Sequence, residues 1–161
     1  YSFNIEKDKQ RNQIDWHQGF IIDSILEFFD DKLIEDEYIN RIKKAIEFYR
    51  FKQFDSIGRS KWRYPISFPI DIHNQSQGII TFSKYSRYDM DYLDFSNKVA
   101  NWTIDNMQSA KGFFHYRKNR FFDTKIEYMR WNNSWMYLAL SSLILANINH
   151  NKSSKTSLFA L

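Results

Sequence analysis

The stretch Ile70–Asp71–Ile72–His73–Asn74–Gln75–Ser76–Gln77–Gly78–Ile79 opens a helix whose continuation, through Ile80, Phe82 and Tyr85, is strongly apolar. Two other stretches open helices in the same way. They are Ile14–Asp15–Trp16–His17–Gln18–Gly19–Phe20 and Tyr128–Met129–Arg130–Trp131–Asn132–Asn133–Ser134–Trp135. A helix that is apolar on most of its faces is enclosed on several sides. Gly19 and Gly78 hold matching positions, where the missing side chain suits close helix contact. More amphipathic helices follow the buried ones. Alternation of buried and amphipathic helices is the pattern of an inner and an outer ring. Such rings gather the loops that precede the inner helices at one mouth.

Outward from these openers, the spacing predicts a first helix over residues 15–29 and a second over 35–51. Tyr38, Ile42, Ala45, Ile46 and Tyr49 form the apolar stripe of the second. Its cations Arg41, Lys43, Lys44 and Arg50 fall largely off that stripe, as on a solvated face. Gly58, Pro65 and Pro69 make 53–69 a loop. A third helix is expected from residue 73 or 74 to 85, with Asp71 placed to cap it. A fourth is expected over 92–107, with Phe95, Val99 and Trp102 on one stripe. Residues 108–128 read as irregular, with 112–116 and 125–129 pairing as a small hairpin. The last helix is expected over 132–147, and the polar-then-apolar end, 149–161, reads as a frayed tail.

The 161 residues suit a single all-α domain with its core over about 13–148. Four glycines and two prolines are too few for a many-turned β fold. With no cysteine there is neither a disulfide framework nor a thiolate metal site. The longest apolar run, 135–146, is broken by Ser141 and Ser142 and falls short of the roughly 20 residues that span a bilayer. No leader is recognisable, and the compartment stays open, leaning to the cytoplasm. The net charge of +4 is spread along the chain among acids such as Asp30, Asp31, Glu35, Asp36 and Glu37, which argues against nucleic acid as partner. Aromatic residues, at 19%, are in excess. They suit a dense core, and they also suit a carbohydrate groove, where ring faces stack on sugars and polar tips bond hydroxyls.

The chemistry-bearing residues cluster before the buried helices. Asp15/His17 and Asp71/His73 pair a carboxylate with an imidazole, a usable acid–base couple near neutral pH. The plainer reading makes each Asp a cap. No third ligand accompanies the two histidines, so neither a metal nor another cofactor is expected. Gln75 and Gln77 offer amides to sugar hydroxyls or to the backbone. Lys61–Trp62–Arg63–Tyr64–Pro65, His115–Tyr116–Arg117–Lys118 and Tyr128–Met129–Arg130–Trp131 each mix cations with rings. Arginine forks grip carboxylates and rings stack on sugars, so three such clusters at one mouth suit an acidic sugar. Surface cation–π pairing is the alternative.

The strings Trp62–Arg63–Tyr64–Pro65, Pro69 through Ile79, Gly112–Phe113–Phe114–His115–Tyr116–Arg117 and Tyr128–Met129–Arg130–Trp131 resemble bacterial proteins encoded with polysaccharide-synthesis genes. That likeness spans about residues 15–145. It implies an α/α toroid similar to uronyl epimerases, polysaccharide lyases and unsaturated-glucuronyl hydrolases. No catalytic motif of those enzymes maps onto this chain. Proteins of this type also carry the label aminolevulinate dehydratase, which the residues do not support: that enzyme is a β/α barrel, often with cysteine-bound zinc. Five helices make only an arc of a ring, so the chain reads as the C-terminal part of a longer toroid, with the upstream half as its partner.

The expected function is binding or turnover of an acidic polysaccharide or glycan. Asp71 and His73 are the candidate catalytic pair. His17, Arg63, Tyr64, Gln77, Tyr116, Arg117 and Arg130 are the candidate ligand contacts. The alternatives are a helical-repeat module that binds another protein, and a fragment with no independent activity.

Overall fold

The computed structural model describes residues 16–29 and 36–158. Five α-helices dominate: α1 (His17–Phe29), α2 (Asp36–Phe48), α3 (Ile72–Tyr85), α4 (Asp91–Met107) and α5 (Ser134–Leu158). α2 runs on into a π-helical turn, Tyr49–Gln53, and α5 is preceded by another, Met129–Asn133. Three two-residue strands, β1 (Ile70–Asp71), β2 (Arg117–Lys118) and β3 (Asp123–Thr124), form an antiparallel sheet in that order. Asp71 pairs with Arg117, and Arg117 with Thr124. The molecule is therefore mostly helical, with a small three-stranded sheet where a two-stranded hairpin was expected.

α3 is the central helix and packs against α1, α4 and α5. Thirteen of its residues are buried, and only Lys84 reaches solvent. Asp71 caps it as expected: its backbone is extended and its carboxylate accepts the His73 N–H at 2.9 Å. Enclosure so complete forces the polar side chains of α3 to find partners. Gln75 accepts from Ser60 N at 2.6 Å and donates to Thr103 Oγ1 at 2.7 Å. Asn74 Nδ2 donates to both the Lys61 and Trp62 carbonyls. Gln53, also buried, donates to Lys61 O and accepts from Tyr64 N. Three buried amides thus fix the long 53–69 loop, which has little regular structure to hold it.

Phe82, in the last turn of α3, lies 5.1–5.3 Å from the rings of Tyr49, Phe54 and Phe95. Part of the aromatic excess is core of this kind, while other rings, Phe51, Phe121 and Phe122 among them, are exposed. The expected close approaches at the two matching glycines are present. A Cβ on Gly78 would run into the Phe54 ring, and one on Gly19 would lie 2.5 Å from Gln77 Cγ. Gly58 has a different reason to be glycine, because its φ is +90° and the backbone of Lys98 lies 2.9 Å from where a Cβ would sit.

Two expectations need correction. The predicted 112–116/125–129 hairpin is displaced: the ladder is β2 with β3, and the two predicted arms meet where Tyr116 N donates to Ile126 O and where the Tyr116 and Tyr128 rings touch. Gly112, at φ +89°, closes a tight turn between Ser109 and Phe113. That turn folds Phe114 back onto Gln108 instead. The expected tail is likewise helix, since α5 continues to Leu158. No glycine or proline interrupts it, and Asn147 bonds Leu143 O and Asn97 without breaking the helix. Asp15 and residues 159–161 lie outside the described residues.

Candidate functional site

The starts of α1, α3 and α5 meet. Trp16 and His17 arrive with α1, Asp71 and His73 with α3, and Trp131 and Trp135 with the turn and first residues of α5. Trp131 and Trp135 are four residues apart and so share a helix face. The His73 ring lies 4.6 Å from Trp131 and 5.6 Å from Trp135, edge to face with both. Trp16 lies near-parallel to it at 5.6 Å and also stacks on His17 at 3.7 Å. Phe20 closes the base against Trp16 and Trp135. His73 is 6% exposed, whereas Trp131 is 50% exposed. The imidazole is thus covered by tryptophan rings, and Trp131 carries this cluster to the surface.

Arg117 is joined to this cluster through Asp71, the cap of α3. Its Nε donates to Asp71 Oδ2 at 2.7 Å. Its guanidinium lies 4.5 Å from the Trp62 ring and 4.3 Å from the Tyr116 ring. Tyr116 is steadied edge-on by Tyr128. Among the described residues, nothing accepts from the two Nη groups of Arg117. Three side-chain bonds hold the frame. Asn132 donates to Phe114 O and Ile126 O, and Asn133 accepts from Phe114 N, tying the start of α5 to the segment that carries Arg117.

Burial pushes the His73 imidazole below the usual histidine range, and Arg117 adds to this against the opposing pull of Asp71. His73 is therefore neutral at neutral pH. Its Nδ1 is 3.7 Å from Asp71 Oδ1, too long for a hydrogen bond. Both Asp71 oxygens are already engaged, one by the His73 N–H and the other by Arg117. Asp71 thus acts as cap and as anchor for Arg117. Burial likewise raises the Tyr116 phenol above its ordinary range.

The structure brings together His17, Asp71, His73, Tyr116 and Arg117 from the sequence candidates. Four others sit elsewhere. Arg63 and Arg130 are exposed, and their side chains meet no hydrogen-bonding or ionic partner among the described residues. Tyr64 packs edge-on against Phe48, under Lys61. Gln77 points along the α1–α3 seam, donating to Asp23 at 2.9 Å and to Thr81 at 3.0 Å. Gln75 serves the backbone rather than a ligand. The residues missed are Trp16, Trp62, Trp131 and Trp135; the i, i+4 spacing of the last two was the available signal. Among the described residues, no three His, Asp or Glu side chains gather to hold a metal ion. No helix there is long and apolar enough to cross a membrane.

No protein-family model matches the chain, and no curated protein matches it.

Proposed function

We propose that the chain is a carbohydrate-recognising domain that takes an acidic glycan at the tryptophan cluster around His73, as one arc of an α/α toroid. The observation that carries this reading is Arg117. It lies against the Trp62 and Tyr116 rings and is anchored through Nε to Asp71, the cap of the helix that carries His73, with no acceptor on its Nη groups among the described residues. A guanidinium fork matches a carboxylate in two parallel hydrogen bonds. Tryptophan faces beside it suit the C–H surface of a sugar ring. Convergence of the α1, α3 and α5 starts supports the arc, since inner helices of a ring open at one mouth. In a catalytic form of this reading, neutral His73 takes a proton α to the uronate carboxylate held by Arg117, as epimerases and lyases require.

Intrinsic tryptophan fluorescence during titration with oligogalacturonate, against neutral maltooligosaccharide, tests it. Trp131 is exposed enough to report binding. The expected result is a saturable change with the acidic glycan alone. Arg117→Lys keeps the charge but loses the fork, so it should weaken binding at least tenfold, and Trp131→Ala should do the same. No response, or equal binding by Arg117→Lys, overturns the reading.

A protein-binding role has one observation in its favour. Tyr137, Leu138, Ile144, Leu145 and Ile148 lie exposed on one face of α5, with Tyr137 76% exposed. If that face is the working surface, Ile144→Glu should disrupt an assembly seen by light scattering and leave glycan titrations unchanged.

A further inference from the structure

A cleft of about 540 Å³ lies against the 53–69 loop. Its walls are the π-helical turn after α2, residues 54–61 and α4. Trp62 lies against Arg117, whereas Lys61, one residue earlier, lines this cleft. Its volume falls within the range of small-molecule sites, roughly 300–1,000 Å³.

Three cations line it, Arg50, Lys61 and Lys98, and none is paired with a carboxylate among the described residues. The Arg50 guanidinium lies 4.8 Å from the Tyr92 ring and 4.8 Å from the Phe95 ring. Lys61 Nζ donates to Lys52 O at 2.6 Å, and Lys98 Nζ to Ser56 O at 3.3 Å. Carbonyls and ring faces position these charges without neutralising them. The one acid of the lining, Asp55, is spent internally. Its Oδ1 accepts from Ile57 N and Arg59 N, and its Oδ2 from Arg59 Nε at 2.8 Å. Three cations fixed around one cleft, with its only carboxylate already matched, leave an unbalanced positive field directed at the cavity. Because buried amides tie the loop to α3, the charges are held in place before any ligand arrives. Phe51, 64% exposed, adds an apolar wall.

We infer that this cleft binds a small diphosphate-bearing molecule with a flat apolar body, the phosphates between Arg50, Lys61 and Lys98 and the body against Phe51. Ammonium groups act as point charges for phosphate, and the ring adds stacking area. The inference stands apart from the glycan reading: it uses none of the same side chains and survives if that reading fails.

Calorimetric titration with inorganic pyrophosphate, ADP, adenosine and citrate tests it on the whole chain. ADP is expected to bind at least tenfold more tightly than pyrophosphate, with adenosine silent. Lys98→Glu, on an exposed position, is expected to weaken ADP at least tenfold. Lys61→Gln does so independently should the first variant fold poorly. Phe51→Ala is expected to bring ADP down to the level of pyrophosphate. Silence of both phosphate probes at millimolar concentration, wild-type affinity in the lysine variants, or citrate binding as tightly as ADP would each overturn the inference.

Discussion

Asp23 is the side chain most at odds with its surroundings. It lies buried between α1 and α3, where Gln77 donates to one oxygen and the other has no partner. Burial raises its pKa from 3.8 to about 6, against the pull of Lys84 4.0 Å away. A carboxyl raised in the fold contributes stability below pH 3.8, and that stability is lost as pH rises through 6. His73 runs the other way, since its lowered pKa removes stability as pH falls below the ordinary histidine range. Asp23→Asn separates the two, and it offers a new donor to Gln77 Oε1, which has none. The variant should match the wild type near pH 4 and exceed it by roughly 2–3 kcal/mol near pH 8. Denaturant midpoints at both pH values measure this; a gap independent of pH would contradict the assignment to Asp23. The sequence marks none of it, because Asp23 reads as an ordinary polar interruption of an apolar helix. The sequence does suggest the cap at Asp71, because helix starts obey a local rule. It does not suggest that the same carboxylate holds Arg117, 46 positions away.

At the scale of elements, α3 and its cap are the unit on which the His73–Arg117 cluster depends. Asp71 serves the helix end and the Arg117 anchor with different oxygens, so two substitutions separate them. Asp71→Asn keeps an oxygen for the His73 N–H and loses the ion pair. Asp71→Ala loses both. A cap is worth about 1 kcal/mol, and a charge-assisted bond to a buried partner about 2 kcal/mol. Chemical denaturation should therefore place the alanine variant below the asparagine variant by about 1 kcal/mol, with both below the wild type. Equal stability of the two variants would mean that the cap carries no weight. Helix placement was legible here because the apolar period of 3.6 is strong and Gly58, Pro65 and Pro69 punctuate it. α2 begins and α4 ends within a residue of expectation. The hairpin was not legible. A two-residue ladder has too short a pattern to set its own register, and the Gly112 turn decides it.

For the whole molecule, the meeting of three helix starts was legible from the repeated openers, whereas the choice of side chains was only partly so. Arg63 and Arg130 have the right chemistry but lie exposed with no side-chain partner among the described residues, because sequence spacing does not tell which contacts a loop residue makes. The tryptophans were passed over because a ring reads equally as core or as surface, and here Trp131 and Trp135 are partly both. The polar character of α3 has a consequence for how the chain folds. Gln75 reaches partners 15 and 28 positions away, and Gln77 reaches Asp23 across 54. An isolated α3 would expose amides on faces that a soluble helix keeps apolar, so nothing local rewards its formation. The loop closures must be made before the central helix gains from them, which slows folding. A peptide of residues 70–90 should show little helical circular dichroism, whereas the full chain should melt in one cooperative step. The heart of this helical protein is thus its most non-local part, formed late and together with everything that touches it.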